Sequence, residues 1–186
     1  MVVKVYDIVK INILGRKKAT EFLTVKNCLA DDRFTGGHET DMLSEKLITY
    51  FKSRNWWFDD STEDYKNALM EIGVDLESDF AQFYLHVEDG PTFLARRREI
   101  YQVCWFMINS DYKLNIQSAH EALKLPAEYI PLDSFEGEYG YFYNQKTDEV
   151  LRLGLGREWH DFMKGTLKPQ WENFNSFLEW FFELVD

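Results

Sequence analysis

The last seventeen residues, QWENFNSFLEWFFELVD, constrain the fold of this chain more than any other stretch. Six apolar residues occupy positions i, i+3, i+4, i+7, i+8 and i+11: Phe174, Phe177, Leu178, Phe181, Phe182 and Val185. This spacing is typical of one face of an amphipathic α-helix, and Pro169 stands just upstream. So apolar a face needs a hydrophobic core to cover it. We therefore predict a C-terminal helix that packs on the rest of the domain.

A second constraint comes from FEGEYGYFYNQKTDEVLRL, residues 135–153. An aromatic run and an aliphatic run flank the polar, turn-like NQKTDE, a pattern that predicts a β-hairpin. Alternate residues of a strand point to opposite faces, so Tyr141 and Tyr143 share one face while Phe142 points to the other. We expect one of these sets to pack under the C-terminal helix.

Shorter patterns predict the remaining elements. They are a β-hairpin in residues 2–25 with its turn near Gly15–Lys18, a helix capped by Thr40 or Asp41, a helix capped by Ser61 or Thr62 and ended by Gly73, a short helix around Phe80 that is broken at Asp89-Gly90-Pro91, and a helix that ends before Pro126. The segment EIYQVCWFMI fits a strand or a short helix equally well. Together these elements predict an α+β fold, a mostly antiparallel sheet flanked by helices.

Charge separates the chain into two parts. Its 186 residues carry a net charge of −11. Residues 1–58 hold ten basic and seven acidic side chains, whereas residues 59–186 hold eleven basic and twenty-five acidic ones. This balance argues against nucleic-acid binding through phosphates and favours a basic protein partner. We predict an N-terminal extension, residues 1–58, packed on an acidic main domain, residues 59–186.

Sequence signatures of enzymes, metals and cofactors are absent. The chain has no glycine-rich phosphate loop, nucleophile elbow or H-E-x-x-H motif, and the GLG of Gly154–Gly156 is too short and precedes no clear helix. Cys28 and Cys104 lie in apolar company, which favours buried thiols in a reducing compartment over a disulfide. Because the sequence shows no signal peptide and no membrane span, we expect a cytoplasmic protein. Because it shows none of the motifs above, we also expect no cofactor and no metal.

Two pairs of residues raise the question of catalysis. Glu136 and Glu138 have the residue type of a glycosidase acid–base pair, but some carboxylates are always well spaced in a chain with 32 of them. His160 stands beside Asp161, but adjacent residues do not face one another in a helix or a strand. We therefore favour solvated carboxylates and a partner-facing or half-buried histidine.

Two further clusters have both a structural and a functional interpretation. Trp56-Trp57 fits an exposed hot spot for binding or a lid on the core, and we favour the lid because aromatic side chains are mostly buried. Arg96–Arg98 is the only basic triplet after residue 59. In an acidic domain we expect it to pair with nearby carboxylates rather than with phosphate.

The acidic groups of the main domain are the best candidates for binding a partner. They lie at predicted helix starts and loop ends, where side chains reach solvent. The eight residues are Asp59, Asp60, Glu63, Asp64, Glu88, Asp89, Glu136 and Glu138. The alternative is that this charge only keeps the protein soluble.

Four segments of residues 60–186 resemble the SUKH superfamily, the Smi/Knr-like domain of bacterial toxin-immunity loci. IGVDLESDFAQFYLHVEDGPT resembles the first family signature, with Asp89-Gly90 where the family often has Asn-Gly and with Glu77-Ser78 where a proline is common. LKLPAEYIPL resembles the segment before the central strands, GEYGYFYNQKTDEVLRLGLG the sheet hairpin, and FNSFLEWFFELV the closing helix. Residues 1–58 match no motif of the family.

The resemblance implies a SUKH-type fold without enzymatic activity. Most bacterial members are immunity proteins that bind and neutralise a polymorphic toxin, often a nuclease. The partner implied here is thus a cognate toxin domain with a basic surface, and we expect the chain to be a monomer that binds no nucleic acid and no membrane. A regulatory or scaffolding adaptor of the Smi/Knr type, which binds host proteins, is the alternative, and a hydrolase is a third interpretation.

Overall fold

The hairpin of residues 139–154 and the C-terminal helix form the middle of the fold. The computed structural model describes residues 43–135 and 138–185. The predicted hairpin of residues 2–25 and the predicted caps Thr40 and Asp41 lie outside these residues. The described residues form an α+β arrangement with seven helices and two small antiparallel sheets.

The helices are α1 (Glu45–Ser53), α2 (Glu63–Glu71), α3 (Asp79–His86), α4 (Val103–Asn109), α5 (Tyr112–Leu123), α6 (Arg157–Met163) and α7 (Phe174–Phe181). The strands are β1 (Thr92–Ala95), β2 (Arg98–Tyr101), β3 (Tyr129–Pro131), β4 (Tyr139–Asn144) and β5 (Val150–Gly154). The helix predicted to end before Pro126 is α5.

The predicted antiparallel pairing is present, but in two sheets rather than one. Strands β3, β4 and β5 form an antiparallel sheet with β4 in the middle, and β1 and β2 form a separate hairpin. In the predicted hairpin Tyr141 pairs with Arg152. On the outer edge of β5, the N–H of Val150 donates to the carbonyl of Trp171 at 3.0 Å, and that of Arg152 donates to Gln170 Oε1 at 2.6 Å.

The two faces of β4 serve two hydrophobic clusters. Tyr141 and Tyr143 belong to the main core and Phe142 to a smaller cluster under α5 and α6, as the alternation predicts. The ring centroid of Tyr141 lies 5.3 Å from that of Phe177, and the centroid of Tyr143 lies 5.3 Å from that of Phe174. The tyrosine face is therefore the one that packs under α7.

Helix α7 confirms most of the predicted apolar face. The residues buried there are Phe174, Phe177, Leu178, Phe181 and, just after the helix, Phe182. The side chain of Asn173 caps the helix, because its Oδ1 accepts a hydrogen bond from the N–H of Ser176 at 2.8 Å. The prediction that Val185 continues this face is wrong: the helix ends at Phe181, Glu183 adopts a left-handed φ of 60°, and Val185 is exposed.

Asp148, in the turn of the β4–β5 hairpin, ties the sheet to α7. Its Oδ1 accepts a hydrogen bond from the Tyr143 hydroxyl at 3.1 Å, and its Oδ2 accepts one from the N–H of Phe174 at 3.1 Å. The second bond satisfies a backbone donor that the start of a helix leaves unpaired. It also places a carboxylate at the positive end of the helix dipole.

Helix α2 follows its predicted end signals, whereas the predicted start of α1 is wrong. Thr62 caps α2 as predicted, and Gly73, with φ of 79°, lies just past its end. Helix α1 is capped not by Thr40 or Asp41 but by Ser44, whose Oγ accepts a hydrogen bond from the N–H of Leu47 at 3.3 Å. The ring of Phe51 in α1 lies 5.1 Å from that of Phe182. Of the predicted extension, the residues from 43 onward are described, and they pack in the main core.

The ambiguous segment EIYQVCWFMI is both a strand and a helix. It begins in β2 and continues, across Gln102, into α4. The buried side chain of Gln102 donates through Nε2 to the carbonyls of Tyr84 and Val87, at 3.0 and 3.1 Å. Its Oε1 accepts from the N–H of Trp105 at 3.2 Å and caps α4. One amide thus ends the strand, starts the next helix and joins both to the end of α3.

A short helix, α6, follows Gly154–Gly156, where the sequence indicated none. Gly156 adopts a φ of 98°, which turns the chain out of β5. The indole N–H of Trp159 then donates to the carbonyl of Leu123 at 2.9 Å and holds α6 against α5. The pattern was hard to read because α6 has only seven residues and none of them is fully buried.

Removing a buried ring between α7 and the sheet is expected to destabilise the protein strongly. Phe177→Ala or Phe181→Ala is predicted to lower the free energy of unfolding by about 3–5 kcal/mol, because both rings are fully buried. Urea unfolding measures the change. Phe58→Ala, at an exposed ring, is the control, with an expected change within about 0.5 kcal/mol. Similar small losses for all three variants would contradict the packing described here.

Two buried tyrosines form a matched pair for a second prediction. The hydroxyl of Tyr84 has no hydrogen-bond partner in the described part of the chain, whereas that of Tyr112 donates to the carbonyl of Pro131. Because an unpaired buried hydroxyl is costly, Tyr84→Phe is expected to stabilise the fold by about 1 kcal/mol and Tyr112→Phe to destabilise it by about 1 kcal/mol. Thermal and urea unfolding report both, and the opposite order would refute this assignment.

Candidate protein-binding surface

The segment between α1 and α2 is held in place by the end of α3. Trp57 and Val87 form an isolated antiparallel bridge. On either side of it, the N–H of Phe58 donates to the carbonyl of His86 at 2.8 Å, and the N–H of Glu88 donates to the carbonyl of Trp56 at 2.9 Å. These bonds fix a stretch of chain that belongs to no helix and no sheet.

Six of the eight predicted partner-binding residues lie on segments that this pairing connects or that follow it directly. Asp59 and Asp60 follow Phe58 at one end of the antiparallel pairing, and Glu88 and Asp89 follow Val87 at its opposite end. Tyr65, in the first turn of α2, lies close enough to Glu88 for the charge of that carboxylate to act on its hydroxyl, which places the start of α2 near Glu88. We call these six residues the acidic surface: Asp59, Asp60, Glu63, Asp64, Glu88 and Asp89.

Two of these carboxylates have a hydrogen-bond or ion-pair partner within the chain, and a third, Glu88, lies near Tyr65. Asp59 Oδ1 accepts a hydrogen bond from the indole N–H of Trp57 at 2.9 Å. Glu63 forms an ion pair with Lys66, with 2.7 Å between Oε1 and Nζ. Burial, together with the charge of the nearby Glu88, raises the pKa of the Tyr65 hydroxyl to about 12. The phenol therefore stays protonated and able to donate.

The other three carboxylates face solvent without a partner. Asp60, Asp64 and Asp89 are exposed, and none of them forms an ion pair or a side-chain hydrogen bond with another described residue. Asp64 lies in the first turn of α2, where a negative charge also favours the helix. A partner can therefore pair with these three side chains without breaking a contact inside the chain.

The structure does not join the last two predicted residues to this surface. Glu136 lies outside the described residues. Glu138 is exposed just before β4, and its backbone carbonyl accepts a hydrogen bond from the N–H of Leu155 at 3.2 Å. Among the described contacts, none links Glu138 to the acidic surface. Glu138 therefore stands apart from the six residues of that surface.

Phe58 is the residue of this region that sequence reasoning missed. Its side chain is 51% exposed, and it is the only exposed phenylalanine, tyrosine or tryptophan in residues 43–135 and 138–185. The neighbouring Trp56 and Trp57 are half-buried and pack against the core, which confirms the lid interpretation. Hydrophobic periodicity could not distinguish Phe58 from the two tryptophans before it, because the three aromatic residues are consecutive and belong to no helix and no sheet.

The arginine triplet confirms its predicted structural role in part. Arg98 pairs with Asp133, with 2.7 Å between Nη2 and Oδ2. Arg96 instead stacks on the ring of Trp180 and donates from Nε to its carbonyl at 2.6 Å. Arg97 is exposed at the turn of the β1–β2 hairpin, where it adopts a left-handed φ of 57°.

Asp133 is a buried carboxylate with a raised pKa. Burial raises the pKa of Asp133 to about 6, while hydrogen bonds from the N–H groups of Phe135 and Tyr141 and the charge of Arg98 act in the opposite direction. Its Oδ1 accepts from the N–H of Phe135 at 3.0 Å. Asp133 therefore joins the β1–β2 hairpin to the loop before β4.

The raised pKa of Asp133 predicts a stability difference that depends on pH. A carboxyl whose pKa is higher in the folded state than its ordinary value of 3.8 favours folding below pH 4, and this contribution is lost as the pH rises through 6. The loss amounts to about 3 kcal/mol. We expect the advantage of the native chain over Asp133→Asn in free energy of unfolding to shrink by most of that amount between pH 4 and pH 7, since the unfolded carboxyl is already partly ionised at pH 4.

Urea unfolding at several pH values measures this difference. Glu99→Gln, at an exposed carboxylate of the same hairpin, is the control and is expected to leave the pH profile unchanged. A gap between the native chain and Asp133→Asn that stays constant with pH would count against a raised pKa.

Other places that suggest chemistry have structural explanations. A shallow cleft of about 180 Å³ has Ile72, Ile116 and Ile130 in its lining, and Glu71 and Lys113 at the same cleft form an ion pair. Cys104 is a buried free thiol, and burial raises its pKa. Over the described residues there is no group of three or more His, Cys, Asp or Glu that fits a metal ion.

Comparison with known proteins adds no relative. No protein-family model, no curated protein and no solved structure matches this chain. The resemblance to the SUKH superfamily therefore stays a prediction. None of the described helices combines the length and the apolarity needed to cross a membrane.

Proposed function

We propose that this chain is a SUKH-type immunity protein that binds and neutralises a cognate toxin domain with a basic surface. The observation that supports this most is the acidic surface, where Asp60, Asp64 and Asp89 are exposed and unpaired in the described structure on hydrogen-bonded elements. A binder of this kind acts by covering, and it needs no catalytic group. Its proposed setting is the cytoplasm, where it acts as a monomer.

Charge determines how such a binder works. A nuclease toxin that grips a phosphate backbone is basic. The carboxylates of the acidic surface attract that cationic surface, raise the rate of association and cover the groove that nucleic acid would enter. Because the segment that carries Asp59 and Asp60 is already hydrogen-bonded to α3, little conformational freedom is lost when the complex forms.

The proposal predicts a specific effect of reversing charge. Asp60→Lys, Asp64→Lys and Asp89→Lys together are expected to slow association with the basic partner about tenfold or more at low salt and to flatten its salt dependence. Glu77→Lys, Glu172→Lys and Glu183→Lys make the matched control, since these residues are exposed, carry the same charge and lie on other segments. The control is expected to leave most of the association rate in place.

The experiment begins with co-purification from the native source, a wash with salt and identification of the protein that remains bound. Surface plasmon resonance with the purified partner then compares the two triple variants over a range of salt concentrations. A retained partner that is acidic, or equal losses of association rate in both variants, would contradict the proposal. A host regulatory protein in place of a toxin would favour the adaptor.

A further inference from the structure

Phe58 stands apart from every other described aromatic ring. All the other described phenylalanine, tyrosine and tryptophan side chains are buried or half-buried, and most of them form ring contacts, whereas Phe58 is 51% exposed and makes none with a described residue. Burying a phenyl ring contributes about 1.5–3 kcal/mol. This contribution is not realised at Phe58, although the core of the fold consists largely of aromatic rings.

Exposure of Phe58 does not come from a loose chain. Its N–H donates to the carbonyl of His86, and its carbonyl contacts His86 Nδ1 at 2.8 Å. Next to it, the ring of Trp57 stacks on the imidazole of His86 with 5.2 Å between centroids. The backbone of Phe58 is thus held at both its N–H and its carbonyl. The exposed ring therefore projects from a fixed segment of chain.

The surroundings of Phe58 define the partner. Asp59 and Asp60 follow it directly, and Glu88 leaves the same paired stretch. An exposed aromatic side chain that is followed directly by two carboxylates matches an apolar recess bordered by lysine or arginine. Aromatic anchors that become buried in a complex are among the few residues that dominate protein–protein binding energies.

We propose that Phe58 is the apolar anchor of the acidic surface and inserts its ring into an apolar recess on a basic protein. The inference rests on the proposed function and assigns separate roles within it. Carboxylates at the edge of an interface act mainly on association, whereas a side chain that loses its water in the complex acts mainly on dissociation. Phe58 therefore sets the lifetime of the complex, and Asp60, Asp64 and Asp89 set the rate at which it forms.

Site-specific crosslinking tests where the partner sits. The full chain carrying Phe58→p-benzoylphenylalanine is irradiated in the cells that produce it, and Leu155→p-benzoylphenylalanine is the control. Leu155 is 50% exposed and follows β5, away from the acidic surface in the chain. We expect an adduct with a basic protein from position 58 and none from position 155. No adduct at position 58, or an adduct with an acidic protein, overturns the proposal.

Kinetics with the crosslinked partner, produced in pure form, test the role of the ring. Phe58→Ala is expected to raise the dissociation rate about thirtyfold and to change the association rate less than about threefold. Leu155→Ala is expected to change neither. Thermal unfolding of both variants confirms that they fold, as expected for two exposed positions.

The outcomes separate this inference from the proposed function. If no basic protein binds the native chain, both fail. If a basic protein binds, responds to reversal of Asp60, Asp64 and Asp89, and ignores Phe58→Ala, the acidic surface is the interface and Phe58 is not its anchor.

Discussion

The packing of α7 on the tyrosine face of β4 is the interaction on which the rest of the structure depends. Phe174 and Phe177 lie over Tyr143 and Tyr141, and the same cluster extends through Phe83 and Phe182 to Phe51 of α1. Rings at these distances gain both apolar burial and favourable edge and offset contacts. Elements far apart in the chain are thereby drawn together, and the start of α2 and the end of α3, which carry the acidic surface, are positioned by this core.

Elements with strong periodicity could be predicted from the sequence. Helix α7, the β4–β5 hairpin and the caps Thr62 and Gly73 follow rules that act over a few neighbouring residues. Where the outcome depends on distant groups, local rules were insufficient. The strand-to-helix change at Gln102 depends on the carbonyls of Tyr84 and Val87, and no pattern within EIYQVCWFMI encodes them.

The candidate site shows the same division between local and distant information. Composition and charge pointed to carboxylates, and exposure is easy to expect for them. Their grouping was not foreseeable, since the bridge of Trp57 and Val87 and the proximity of Tyr65 to Glu88 bring together segments that lie far apart in the sequence. Phe58 was missed for the opposite reason: a phenylalanine beside two tryptophans reads as core, and only the fold shows that the core is closed without it.

The occupied edge of β5 has a consequence for recognition. Residues 170 and 171 already take the hydrogen-bonding positions at Val150 and Arg152. A second polypeptide cannot extend the sheet there by aligning its own backbone, and chains of this protein cannot join edge to edge along that side to start a fibre. A partner that binds at this edge must therefore be recognised by side chains. Substitutions can change those side chains one at a time and leave the sheet beneath them unchanged.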